Sequence, residues 1–180
     1  EIGLDYHYDN SPRVQQREVF ARFIALARTL KKPIVVHTRS APEDTLELLG
    51  SEQARDVGGI IHCFSEDLAF AKRAMDLDFD VSFSGIVTFK NAKSVHETAA
   101  QIPTERILVE TDSPYLAPIP FRGKPCEPAY VVYTAQRIAE LRGISLETLA
   151  LATVTNTERR LRRTFDPTAT FGAQGPDGAS

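Results

Sequence analysis

Two histidines and two carboxylates stand beside short apolar runs of this sequence. His37 ends the run PIVVH, His62 follows GGII, and Asp112 comes shortly after ILVE. Glu1 stands at the head of the run EIGLD. Imidazole nitrogens and carboxylate oxygens are ligands that zinc, manganese and other divalent ions take in proteins. The four residues therefore form a candidate metal site, provided that the fold brings them together.

Neither histidine predicts a metal by itself, because a lone histidine at a strand end is as often a hydrogen-bonded core residue as a ligand. His37 and His62 occupy matching positions, however, and Asp112 supplies an acid at a third strand end. That combination favours a metal site.

Five apolar runs have the length of β-strands, and most of them are rich in Val, Ile and Phe. They are EIGLD, PIVVH, GIIHCF, FDVSFSG and RILVETD, which start at Glu1, Pro33, Gly59, Phe79 and Arg106. Nearly continuous apolar runs of this length are typical of parallel strands that are covered on both faces. Amphipathic stretches separate the runs, so the sequence predicts alternating strands and helices.

The clearest helical stretch covers residues 11–32 and places a set of apolar residues on one predicted face: Phe20, Phe23, Ala27 and Leu30. The stretch SEDLAFAKRAMDL repeats the pattern, with Ser65 as a plausible N-cap. Two more helices are predicted after the fifth run, and Ser145 is expected to cap the second of them.

A β-then-α alternation repeated four times specifies a parallel sheet with right-handed crossovers. Such a sheet is either open and doubly wound or closed into a barrel, and periodicity does not decide between the two. A chain of 180 residues is long enough for one sizeable core. We expect a single domain over residues 1–165 and a disordered tail over residues 166–180, which are rich in Gly, Pro, Ala and Thr.

Composition excludes several classes of function. With 21 basic and 24 acidic residues the net charge is −3, so any phosphate binding must be local rather than driven by bulk charge. Cys63 and Cys126 form neither a disulfide framework nor a zinc-type spacing, which favours a reducing cytoplasm. Cys63 follows His62, and strand alternation predicts that it faces the core. No apolar run is long enough to span a bilayer, and no membrane partner is expected.

Four segments resemble, in order and spacing, the signature segments of the TatD family of metal-dependent deoxyribonucleases: EIGLDYHYD, PIVVHTRSAPEDT, GIIHCFS and ETDSPYLAPIPFRGKPCEPAYV. The resemblance extends to Arg163. It implies an α/β fold of the (β/α)8 TIM-barrel family, with one or two divalent ions, zinc, manganese or magnesium, at the barrel mouth. It also implies that the five strands are strands 4 to 8, so we expect an incomplete barrel without the first three strands and their His-x-His pair.

The resemblance also implies roles for the four residues at the candidate site. Glu1, His37, His62 and Asp112 correspond to metal ligands, and Glu1 corresponds to a carboxylate that can bridge two ions. Asp112 is expected to orient or deprotonate the attacking water. Asp112 and Glu1 are therefore the candidate catalytic residues.

Three basic residues are candidates for neutralising a substrate phosphate. Arg39 lies two residues past His37, and Arg122 and Lys124 belong to the segment FRGK. Arg39 and Lys124 are equally compatible with ordinary loop cations. Tyr115 follows a proline, and we expect it to be packed rather than stacked on a base.

The predicted function is a cytoplasmic hydrolase that uses a divalent metal to cleave phosphodiester bonds in DNA. One alternative is a hydrolase of another ester or amide bond, such as that of aminoacyl-tRNA, because this kind of site also suits attack on a carbonyl. A second alternative is a catalytically inactive fragment, since the His-x-His pair is missing. The oligomeric state is not predicted.

Overall fold

The computed structural model describes residues 1–165, and its sheet has five strands in the order of the chain. The strands are β1 Ile2–Asp5, β2 Ile34–Arg39, β3 Gly59–Ile61, β4 Phe79–Phe83 and β5 Ile107–Val109. Each strand pairs in parallel with the next. The five predicted parallel strands are confirmed, whereas the predicted tail at 166–180 lies outside the described residues.

Helices follow every strand. They are α1 Arg13–Leu30, α2 Pro42–Ser51, α3 Leu68–Asp76, α4 Lys93–Gln101, α5 Val131–Arg142 and α6 Leu146–Leu161. Over residues 1–165 the sheet does not close, because β1 and β5 each have one neighbouring strand. Consecutive strands lying side by side are the arrangement of an α/β barrel, here as an open arc. In the same range no helix combines the length and the apolar character needed to cross a membrane.

The core lies where the strands pack against their helices. Every strand contributes an aliphatic side chain with no exposed surface: Leu4, Val36, Ile61, Val81 and Ile107. Four of the five are register partners across neighbouring strands. Burying a side chain of this size stabilises the fold by about 1.5–3 kcal/mol. This aliphatic layer supports the polar residues that follow it toward the carboxyl ends of the strands.

Helix α1 buries only part of its apolar face. It buries Phe20 and Ile24, but Phe23 is 46% exposed and Leu30 is 58% exposed. The predicted helix is therefore confirmed, but of its predicted apolar face only Phe20 and Ala27 are buried. Phe23 and Leu30 lie beside the free edge of β1, where they line a cavity of about 260 Å³ together with Ile2. The apolar face of α1 is therefore wider than the part of the sheet that α1 covers.

At the amino end of the sheet, three arginines neutralise two aspartates. Arg160 Nε lies 2.7 Å from Asp80 Oδ2, and Arg159 Nη2 lies 3.0 Å from the same oxygen. Arg106 Nη1 lies 2.8 Å from Asp78 Oδ1. Asp80 is completely buried, and Arg160 is only 5% exposed. This ion network joins the last turn of α6 to the start of β4.

Candidate metal centre

A cavity of about 690 Å³ opens at the carboxyl ends of the strands, and all four predicted ligands line it. His37 lies in the second half of β2, His62 directly follows β3, and Asp112 follows β5. Glu1 immediately precedes β1. The carboxyl ends of parallel strands meet on one side of a sheet, which is where α/β folds place their catalytic groups. The structure thus brings the four residues together, and their role as metal ligands stays a prediction.

Glu1 reaches both histidines. Its Oε1 lies 3.4 Å from His37 Nδ1 and 3.7 Å from His62 Nε2. Gly3 makes this approach possible, because it pairs in register with His37 and a Cβ atom there would collide with the backbone carbonyl of that residue. Gly3 also has a φ of 148°, which side chains disfavour. Glycine at this position therefore allows β1 to lie close enough to β2 for the Glu1 carboxylate to reach the site.

The ring of His62 is held by Glu110. Its Nδ1 lies 3.0 Å from Glu110 Oε2, and the backbone N–H of Cys63 donates to Glu110 Oε1 at 3.1 Å. A carboxylate accepts, so Nδ1 donates and the lone pair of Nε2 is left pointing toward Asp112 Oδ1 at 3.4 Å and Glu1. Histidines that bind metals commonly use this arrangement, in which a carboxylate fixes the tautomer and the ring orientation.

Asp5 plays the corresponding part for His37. The Oδ2 atom of Asp5 lies 3.4 Å from His37 Nε2, which leaves Nδ1 facing Glu1. Asp5 Oδ1 accepts the backbone N–H groups of His7 at 2.9 Å and Tyr8 at 3.0 Å. Burial acts to raise the pKa of Asp5, but these hydrogen bonds and His37 outweigh it, and the pKa is lowered. Asp5 therefore stays ionised and can hold the ring.

Asp112 sits on a turn with a left-handed φ of 60°, a conformation that Asp tolerates better than most residues. Burial, reinforced by the charges of Glu110 and Glu1, raises the pKa of Asp112 although the His62 charge opposes it. The hydrogen bond to Glu110 raises the pKa of His62 against the opposing effect of burial. The raised pKa of His62 thus reflects the carboxylates around it, whereas the raised pKa of Asp112 reflects burial first and the charges of Glu110 and Glu1 second.

Four carboxylates surround the two imidazoles: Glu1, Asp5, Glu110 and Asp112. Within residues 1–165 no salt bridge joins any of them to Lys or Arg. Ligand atoms of His62, Glu110 and Asp112 all lie within 4.8 Å of one another. A divalent cation would relieve this repulsion, and the mixed nitrogen and oxygen donors fit zinc or manganese. The residues present therefore suit a metal ion.

Two features of this cluster differ from the sequence analysis. Glu110 was not predicted, although it follows β5 directly and precedes Asp112 by two positions. The prediction that Cys63 faces the core is wrong, because Cys63 lines the cavity with its Sγ 3.2 Å from Ser84 Oγ. Strand β3 ends at Ile61 and Cys63 has a φ of 46°, so alternation no longer applies there. Burial raises the pKa of Cys63 to about 12 and keeps it a neutral thiol.

The predicted phosphate-binding residues are in different places. Arg39 lines the cavity of the metal centre. Arg122 lines a neighbouring cavity of about 550 Å³, where its guanidinium carbon lies 3.9 Å from the ring centroid of Phe89. Lys124 is exposed and lines neither cavity. Tyr115 is 70% exposed at the mouth of the metal centre, so the prediction that it is packed is wrong.

Comparison with known sequences agrees with this geometry. A family profile described as TatD related DNase matches residues 1–162. YabD of Bacillus subtilis strain 168, named an uncharacterized metal-dependent hydrolase, is 49% identical over 162 residues, which are 90% of this chain and 64% of YabD. YcfH of Escherichia coli strain K12, with the same description, is 49% identical over 159 residues, 88% of this chain and 60% of YcfH. The chain thus spans less than two thirds of these relatives.

Solved structures agree as well. YjjV, a TatD homolog from Escherichia coli K12, superposes with a TM-score of 0.84 at 26% identity, over 90% of this chain and 62% of YjjV. A TatD family hydrolase from Entamoeba histolytica gives a TM-score of 0.80 at 21% identity, over 91% of this chain and 62% of its own, and at that identity supports the fold alone. The expected fold class is confirmed.

Proposed function

This chain belongs to the TatD related DNase family, and we propose that it forms the metal centre of a divalent-metal-dependent hydrolase that cleaves phosphodiester bonds of DNA. The observation that carries the proposal is the convergence of Glu1, His37, His62 and Asp112 on one cavity. Within residues 1–165, no Lys or Arg neutralises the carboxylates of this cavity through a salt bridge. The two free cysteines agree with a reducing cytoplasm as its location.

We assign these four residues as the ligands of one or two divalent ions, with Glu1 between the two histidines. Zinc, manganese and magnesium are the candidate ions. A divalent ion held there supplies Lewis acidity: it lowers the pKa of water and polarises a phosphoryl oxygen. Glu110 keeps the lone pair of His62 Nε2 directed into the cavity, as its hydrogen bond to Nδ1 requires.

Asp112 is the proposed proton acceptor. Its Oδ1 faces His62 Nε2 at 3.4 Å, whereas within residues 1–165 Oδ2 has only the weak thiol donor of Cys63, at 3.9 Å. Oδ2 is therefore the oxygen with lone pairs available to take a proton from the attacking water. A carboxylate positioned in this way contributes about 10²–10⁴-fold to a hydrolysis rate.

The rim of the cavity offers contacts for an anionic, aromatic substrate. Arg39 lies with its guanidinium carbon 4.7 Å from the ring centroid of Tyr8, and both residues line the cavity. Tyr115 also lines the cavity and is 70% exposed. We propose that Arg39 contacts the scissile phosphate and that the two tyrosines contact neighbouring bases, which matches how single strands combine cations with stacking surfaces.

The test is hydrolysis of DNA by the purified protein with manganese or magnesium, before and after chelation. We expect activity that chelation abolishes and that His37→Ala reduces strongly, while Arg22→Gln, exposed on α1 outside the cavity, leaves it nearly unchanged. Metal bound per protein, measured by elemental analysis, should fall in the His37 variant. Cleavage of aminoacyl-tRNA or amide substrates without DNA cleavage would overturn the nuclease assignment. A folded protein that binds metal but hydrolyses nothing would support the inactive alternative.

A further inference from the structure

A second cavity lies next to the metal centre, and the charged residues that line it are basic rather than acidic. Its volume is about 550 Å³ and its lining is Phe89, Lys90, Asn91, Ala92, Ile119 and Arg122. The same two segments form walls of both cavities: Ile86 and Leu116 line the metal centre, and Phe89 and Ile119 follow them by three residues in each segment. Three residues of chain span at most about 11 Å even when fully extended, so the two cavities are adjacent.

The two segments are tied to each other. The backbone N–H of Ile119 donates to Thr88 Oγ1 at 2.9 Å, and that hydroxyl donates to the carbonyl of Gly85 at 2.6 Å. Gly85 lies so close to the carbonyl of Leu116 that a Cβ atom at this position would collide with it. These contacts hold the second cavity in shape without a ligand, and a preformed site loses less entropy on binding.

Cations and an aromatic ring dominate the lining. The guanidinium carbon of Arg122 lies over the ring of Phe89, 3.9 Å from its centroid, and both Arg122 and Lys90 are exposed. Neither cation forms a salt bridge with the part of the chain that the structure describes, and no acid lines the cavity. Helix α4 begins beside it at Lys93, without an acidic residue in its first turn, which adds to the positive potential.

We propose that this cavity, lined by Phe89, Lys90 and Arg122, is the subsite for the nucleotide next to the scissile phosphodiester of a single-stranded nucleic acid. Lys90 and Arg122 contact its phosphate. The open face of the guanidinium, backed by Phe89, forms a planar surface on which an unpaired base stacks. The proposal rests on the proposed function in one respect: hydrolysis at the metal centre fixes which nucleotide occupies the subsite.

The first experiment compares the wild type with Arg122→Gln on two substrates. One is a single-stranded DNA of about 12 nucleotides, within the usual range of single-strand sites. The other is bis(p-nitrophenyl) phosphate, a phosphodiester without a flanking nucleotide. We expect kcat/KM for the oligonucleotide to fall about tenfold, mainly through KM, because stacking and charge are lost together. Hydrolysis of the small ester should not change, and the matched control Arg22→Gln, on α1 outside both cavities, should change neither.

The second experiment measures oligonucleotide binding by fluorescence anisotropy in the presence of a chelator, over a range of salt concentrations. Losing one phosphate contact should reduce the slope of log K against log salt by about 0.7. Arg122→Lys keeps the charge but not the planar face, so it should keep the slope and lose affinity.

The outcomes separate the subsite from the nuclease. Equal binding by the wild type and Arg122→Gln, or no binding by either, overturns the subsite whatever the hydrolysis shows. An equal loss of activity on both substrates also overturns it, because Arg122 then acts through the metal centre or the fold. If Arg122→Gln binds more weakly with a smaller salt slope and the wild type cleaves neither substrate, the subsite is supported and the nuclease assignment is overturned.

Discussion

Both ends of this sheet carry acidic residues, but the basic residues beside them are arginines at the amino end and histidines at the carboxyl end. At the amino end, Asp78 and Asp80 are neutralised by three arginines, with N–O distances from 2.7 to 3.2 Å. At the carboxyl end, Glu1 and Asp112 form no salt bridge with Lys or Arg of residues 1–165, and they lie 3.4 to 3.7 Å from the imidazoles of His37 and His62. At the amino end, short contacts to arginines, which are permanently charged, already neutralise the aspartates. At the carboxyl end, the carboxylates make longer contacts to titratable imidazoles, so their negative charge is still available to a metal ion.

The difference is one of purpose as well as of geometry. Buried ion pairs are expensive to desolvate, so a pair such as Asp80 with Arg160 fixes the position of α6 more than it adds stability. Carboxylates without a fixed cation destabilise a protein by mutual repulsion, and such a cluster persists when binding or catalysis requires it. Substitutions at the two ends should therefore separate into losses of activity and losses of stability.

The largest effect is expected at the carboxyl end. Asp112→Asn keeps the shape of the side chain but removes a ligand charge and the proposed proton acceptor, so kcat for DNA cleavage should fall by about 10³-fold. The unfolding midpoint in urea should not fall, because the substitution also removes repulsion among the carboxylates. A variant that retains more than a tenth of the activity would show that Asp112 is not the proton acceptor.

The corresponding substitution at the amino end is Asp80→Asn. It leaves the guanidinium of Arg160, which is 5% exposed, without its closest anion, so the free energy of unfolding should fall by about 3 kcal/mol. Activity per folded molecule should stay near that of the wild type. Urea unfolding followed by circular dichroism measures the loss, with Asp76→Asn, exposed at the end of α3, as the matched control. A loss below that of Asp76→Asn would contradict the assignment of a structural network.

Glu110→Gln tests the residue behind the metal centre. The amide cannot hold His62 in the required tautomer as firmly as the carboxylate, so metal affinity should fall by about 10–100-fold while the fold is kept. Isothermal titration with manganese or zinc measures the change. Raising the metal concentration should restore most of the activity, which it would not do if Glu110 took part in the chemistry itself.

Much of the fold and of this site was predictable because parallel strands leave a simple sequence pattern. Buried strands appear as apolar runs, and the residues that end neighbouring strands meet at one edge, which placed His37 and His62 together. Glu110 was not predicted because, although it is the first residue of the segment ETDSPYLAPIPFRGKPCEPAYV, the resemblance assigned a role in that segment to Asp112 and none to Glu110. Its hydrogen bond to His62 spans 48 positions of sequence, and no local pattern reports a contact of that range.

Loops and helix faces were less predictable for a physical reason. Ser65 was expected to cap α3, but the helix begins at Leu68, and the Asp67 side chain accepts the N–H of Phe70 at 2.8 Å. Ser65 instead lines the metal cavity, since the loop continues across the end of the sheet. The Ser145 cap is confirmed, with the Thr148 N–H donating to its side chain at 3.1 Å. A local signal succeeded where no tertiary demand competed with it.

The smallest effect concerns the pH response of the amino end. Burial acts to raise the pKa of Asp78, but hydrogen bonds from Arg160 and Arg106 outweigh it, and the folded-state pKa is lowered. Ionised Asp78 therefore stabilises the fold fully above the unfolded value of about 3.9, and this contribution is lost as the pH falls through the folded pKa. Because the Asp78 side chain is 41% exposed, solvent limits the contribution to about 1 kcal/mol.

Asp78→Asn should be less stable than the wild type at pH 6, and the difference should shrink below about pH 4. Urea unfolding at several pH values measures it, with Asp76→Asn expected to show no such convergence. A gap between wild type and Asp78→Asn that widens on acidification would show that these arginines do not stabilise the Asp78 carboxylate, and that the two ends of the sheet differ less than their contacts indicate.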